Sequence, residues 1–203
     1  KPEPIKLDAD NLVRNFIMHI WPVKGSGAWQ WNCDQVLKRA HLFNGVKTIA
    51  IAYSKETDSP GDVCHYMRHF TDDFIVFENN PVLREAATFK PLLETIKDRT
   101  DANQVTFACH AKGVRHNIAE GVNSRTQTPL RWADIQYQSC LDYWPLVLKQ
   151  LEEFPMAGSF KRYGDFTTPG NNRWHYSGTN YWFRNADVFK RHWFHIDQKF
   201  FGT

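Results

Sequence analysis

The sequence predicts an α/β fold: a mostly parallel sheet flanked by helices, with a mixed or antiparallel C-terminal part. Three observations predict it. Short, continuous apolar runs occur four times before residue 112, the pattern of parallel strands covered on both faces. Helical periodicity fills the intervals between them. After residue 155 both patterns give way to short segments rich in aromatic and polar residues.

Taken in order, "NFIMHIW" (15–21) is the first strand. "CDQVLKRAHLF" (33–43) places Val36, Leu37, Ala40 and Leu42 on a helical stripe. "KTIAIAY" (47–53) is the second strand, and "DVCHYMRHF" (62–70) a short helix after the turn signal "SPG". "DFIVFEN" (73–79) is the third strand. "VLREAATFKPLLETIKD" (82–98) is a helix that Pro91 must kink or split. "QVTFACHA" (104–111) is the fourth strand, and 129–154 a long helical region interrupted near Pro145. "MAGSFKRYG" (156–164), "RWHYSGTNYWFR" (173–184) and a short helix at 185–193 form the add-on. The polar stretch 113–128 is long enough for a functional loop.

With 203 residues the chain suits one domain with a full core. It is 42% hydrophobic and 23% charged, values of a globular protein. Cys33, Cys64, Cys109 and Cys140 are widely spaced, which predicts free thiols in a reducing compartment, hence a cytoplasmic location. No apolar run approaches the ~20 residues of a membrane span, and no signal-peptide pattern is present. A start at Lys and a stop at "FFGT" are read as a piece cut from a longer protein with further domains.

Net charge is +3, and residues 1–100 carry 13 basic and 13 acidic side chains, so the excess lies in the second half. That is too mild for a nucleic-acid binder, but it suits a local anion site. From His110 to Arg131 there are four basic side chains and one acidic. "HAKGVRH" follows the fourth strand directly, where ligands collect in open parallel sheets. Lys112 and Arg115 suit phosphate or diphosphate, and Gly113 lets the backbone turn sharply. The segments after the first three strands, "HIWPVKGSGAWQWN", "YSKETDSPG" and "ENNP", should converge on the same cleft.

Several chemistries are disfavoured. Gly25 and Gly27 do not complete G-x-G-x-x-G, since residue 30 is Gln, and no G-K-[ST] follows. G-x-S-x-G, H-E-x-x-H and structural-zinc spacing are absent. "TDDF" (71–74) precedes a strand and reads as a solvated turn. Trp29 and Trp31 either stack on a ligand or clamp their loop to the core.

His110-Ala111-Lys112-Gly113, His175-Tyr176-Ser177-Gly178 with Trp182 and Arg184, "FNG" (43–45) and "NNPVLREAATFKPLL" (79–93) resemble a family. They look like the bacterial and large-virus H-x-K-G branch of GT-A-type nucleotide-sugar glycosyltransferases, similar to rhamnan-synthesis-type proteins. That resemblance implies a GT-A-like, Rossmann-like fold spanning 1–203. Residues 1–128 would form the donor-nucleotide half and 129–203 the acceptor side. It implies sugar transfer from a nucleoside-diphosphate sugar to a carbohydrate acceptor, as in polysaccharide biosynthesis. The alternative is a non-catalytic carbohydrate- or nucleotide-binding module. The D-x-D of typical GT-A enzymes is replaced here by "CHAKG", so Mn²⁺ or Mg²⁺ is possible without a well-placed site, with His110 or His175 as possible ligands.

Roles follow from the resemblance. Lys112, with Arg115 or His110, would neutralise the leaving diphosphate. His19, Trp21 and Pro22 would border the nucleoside, and Asn79, Asn80 and Glu85 the donor sugar. Glu85, Asp165 and His175 are alternative bases. Gly113, Ser177 and Gly178 would approach the donor, and Trp182 would face the acceptor. His175 is expected to face "HAKG" across one cleft.

Overall fold

The computed structural model describes residues 4–115, 124–163, 174–176, 178, 180–190 and 193; the side chains at 124–127, 163, 174 and 175 lie outside that description. Among the described residues, β1 (Val13–Ile20), β2 (Lys47–Tyr53), β3 (Asp73–Glu78) and β4 (Gln104–His110) run parallel. β5 (Met156–Gly158) and β8 (Tyr181–Arg184) extend that sheet, giving the order β3-β2-β1-β4-β8-β5. β8 runs antiparallel to both neighbours. β6 (Lys161–Tyr163) and β7 (Trp174–Tyr176) form a separate antiparallel ribbon.

The predicted fold class is therefore observed, and its cause lies in two-sided burial. Phe16, Met18 and Ile20 of β1 enter one core cluster, while Ile17 enters the other. The first face is covered by α1 (Ala28–Leu37), α2 (Pro60–Met67), α4 (Ser124–Tyr137) and α5 (Trp144–Glu153). The second is covered by α3 (Ala86–Glu94) and α6 (Asn185–Phe189).

Element limits shift from expectation for local reasons. α1 starts at Ala28, not Cys33, because Gly27 caps it at φ 67°. That turn puts Trp29 in the core, where its indole donates to Asp58 at 2.9 Å. Trp31 packs beside Tyr137, so both tryptophans clamp. α2 starts one residue after Ser59, which forms a reciprocal capping box with Asp62. α3 starts at Ala86 because Asn80 Oδ1 accepts from the N–H groups of Val82 and Leu83 and closes a turn. Pro91 is accommodated within α3. A π-helical turn at Gln138–Asp142 separates α4 from α5.

The stretch 173–184 is two strands in different sheets rather than one. Gly178 turns between them at φ 102°. A Cβ there would lie 2.0 Å from Gln136 Nε2, so the close approach is to α4. The expectation for Trp182 is corrected: fully buried, it stacks on Phe43 and donates to the Cys140 carbonyl at 2.8 Å. No acceptor can reach it. Arg184 is buried too, pairing with Asp187 and donating to the Leu151 carbonyl. "FNG" sits at the amino-terminal edge of β1, where Asn44 bridges Arg14 N–H and Leu12 C=O.

Cys33, Cys64, Cys109 and Cys140 are free thiols, three of them buried. No helix among the described residues is long and apolar enough to cross a membrane.

Candidate functional site

Strand order reverses between β1 and β4. The chain leaves β1 toward β2 and β3 on one side, then returns to β4 on the other. Such a switch point opens a crevice at the carboxyl ends of the strands. A cavity of about 300 Å³ lies there, within the range of small-ligand sites.

Three of the four strand-end segments meet in it. β1 contributes His19 and Trp21. The β3–α3 connection contributes Asn79, Arg84 and Glu85. The end of β4 contributes His110, Lys112, Gly113 and Arg115. The segment after β2 does not line the cavity. It pairs with the loop after β1 instead, through Lys24 N–H to Glu56 O and Asp58 N–H to Pro22 O. Pro22 and Asn80 are therefore loop-forming residues, not lining ones. Asp165 and Ser177 lie outside the described residues, as does the His175 side chain. The His175 backbone pairs with Arg162 in the ribbon.

His19 and His110 are register partners on adjacent strands. Alternation turns both toward the α3 face, and His19 Nδ1 meets Thr88 Oγ1 at 2.8 Å. The Thr88 hydroxyl donates to the Glu85 carbonyl, so Nδ1 of His19 is the donor and Nε2 is left as an acceptor. Burial, then the neighbouring His110, depress His19 to about 4. Burial, then the Lys112 ammonium, depress His110 to about 3. The His110 ring keeps some exposure, yet its Nδ1 is shut from solvent with no partner among the described residues. Both imidazoles are neutral at pH 7.

Among the described residues positive charge comes from Lys112, Arg115 and Arg84, against one lining carboxylate, Glu85. Lys112 is lowered by burial, and Glu85 opposes that shift. Its ammonium lies 5.5 Å from the Trp132 ring centre, and the Arg115 guanidinium 5.1 Å from that of Trp21. Arg84 holds φ 52°, a left-handed conformation that is uncommon for a side-chain-bearing residue. Gly113 turns the Lys112 loop at φ 75°.

Asn32 locks that loop. Its amide accepts from Lys112 N–H at 3.1 Å and donates to Lys112 C=O at 2.8 Å. It also donates to Ala28 O and accepts from the Tyr137 hydroxyl. Asn32 is fully buried, so its loss strands several polar groups. Asn32→Ala is expected to destabilise the fold by about 2–4 kcal/mol; an unchanged denaturation midpoint would remove the clamp from the account.

Arg84 and Asn32 were not anticipated. An arginine beside Glu85 has no signature of its own, and Asn32 falls in the stretch that the sequence reads as loop, ahead of the helix expected from Cys33. The lining holds Glu85, His19 and His110 beside the Lys112 ammonium. Among the described residues no group of three potential ligands forms.

No protein-family model and no curated protein matches this chain. Among solved structures, a crystal structure of 4-diphosphocytidyl-2C-methyl-D-erythritol synthase is similar over 92% of this chain and 82% of that one. Identity is 12% and the TM-score 0.39, a similarity too low to bear on function.

Proposed function

We propose that this chain is a glycosyltransferase domain of GT-A type that moves a sugar from a nucleoside-diphosphate sugar to a carbohydrate hydroxyl. One observation carries the reading: three cations and one carboxylate line a crevice at the switch point of a parallel sheet. A diphosphate is the small ligand whose charge that set balances.

In the proposed reaction the bond between the sugar and the diphosphate breaks, and negative charge grows on the leaving oxygen. Lys112, Arg84 and Arg115 oppose that charge from fixed positions. Their effect is strongest in the transition state, where it accelerates the step. Glu85, Asp165 or His175 takes the acceptor proton. Trp21 and Asn79 border the nucleoside and sugar. Residues 1–128 supply the donor half, and 129–203 the acceptor side. Asp165, His175 and Ser177 keep their proposed roles as acceptor-side or donor-contacting groups.

Calorimetry with nucleoside diphosphates and their sugars, with and without Mn²⁺, tests this together with assay of released diphosphate. Binding without added metal and slow release of nucleoside diphosphate are expected. Binding with no release from any sugar donor would leave a binding module; no binding at all would end the reading.

A further inference from the structure

We propose that the acceptor at this site is an acidic saccharide, held by a subsite of Trp132 and Arg162 beside Lys112. The inference rests on the glycosyl-transfer reading and names its acceptor class.

Trp132 stands on α4, half-buried. Its ring centre lies 5.5 Å from the Lys112 ammonium and 5.6 Å from the Arg162 guanidinium. The Phe160 ring meets it edge-on at 5.8 Å. Three separate segments therefore converge: the loop after β4, α4, and the approach to the ribbon. Lys112 also lines the cavity, so the cluster borders the place where transfer would occur.

Two cations sharing one indole repel each other, and a π face offsets only part of that repulsion. No carboxylate among the described residues forms an ion pair with Lys112 or Arg162. Among the described residues Arg162 thus has no ion-paired carboxylate, while the Glu85 charge acts on Lys112. Phe160 is 40% exposed and holds φ 55°, a conformation that carries a strain cost and gathers at ligand clamps. Phe160, the exposed ring of the pair, offers an apolar face to sugar C–H groups. The planar Arg162 fork suits a carboxylate, which it can grip through two hydrogen bonds. A neutral sugar would use the rings and leave the Arg162 charge unanswered. A uronate or a sugar phosphate answers it.

The test titrates the protein, without donor, with a uronate-containing disaccharide, its neutral glucose counterpart and a sugar phosphate. The uronate is expected to bind at least about tenfold tighter than the neutral sugar. Arg162→Gln, at an exposed position, should abolish that preference while keeping nucleoside-diphosphate affinity. Trp132→Leu should weaken both sugars about tenfold. The tighter of the uronate and the phosphate identifies the acidic group. Equal binding of acidic and neutral sugars, or a preference that survives Arg162→Gln, overturns the proposal. Nucleoside-diphosphate titration of the unmodified protein runs alongside. Uronate preference without diphosphate binding would retire the donor reading and retain the acidic subsite.

Discussion

Replacing Lys112 with Ala is expected to lower the sugar-transfer rate about 10²-fold or more while the protein stays folded. The rate effect follows from position. Lys112 lines the cavity at the end of β4 and is partly withdrawn from water, which strengthens its field on a nearby anion. The small stability effect follows from the same burial. Desolvation works against the ammonium, so its removal relieves a cost and forfeits mainly the Trp132 contact, worth about 0.5–1 kcal/mol. The loop stays because Asn32 holds the Lys112 backbone, not its side chain. Burial lowers Lys112 below its ordinary 10.5, so kcat/KM should fall on the alkaline side before an ordinary lysine would titrate. Lys112→Arg should restore part of the rate and move that limb upward. An Ala variant that folds and keeps full turnover removes Lys112 from the mechanism.

Acid should unfold this protein through its two paired imidazoles. His19 and His110 stand at about 4 and about 3, below the ordinary 6.5, chiefly because they are buried. The unfolded chain therefore takes up protons first as pH falls. Stability is full above about pH 6.5 and is lost progressively toward pH 4 and below. Each ring contributes on the order of 3 kcal/mol across that window. The surroundings set the direction: His19 faces His110, Thr88 and Glu85, and His110 faces Lys112. Denaturant unfolding at several pH values should show a steep acid limb that flattens in a His19→Gln, His110→Gln double variant. Equal slopes in the two proteins would mean that neither ring is held neutral.

Much of the site was legible because two signals coincided. A core strand ended in "HAKGVRH", and the net charge of the chain sat in the residues around it. In a parallel sheet those two facts place cations at the ligand edge. His19, Trp21 and Asn79 joined them for the same reason, and Glu85 through the resemblance of its segment. The C-terminal motif was misread in part. An alternating aromatic strand looks the same whether its residues floor a cleft or fill a core. Phe43, Trp144 and the Cys140 carbonyl decide that Trp182 is core, and none of them is near it in sequence.

By itself, the sequence determined the α/β class, the four parallel strands and the basic loop at the sheet's carboxyl edge. Those depend on local periodicity and on charge counted along the chain. Only the tertiary structure decided that β7 and β8 belong to different sheets. It alone brought Asn32 to Lys112, and two cations to Trp132. Each of these is a contact between segments far apart in sequence, set by how the helices pack on the sheet. Short-range pattern carries no record of such distances.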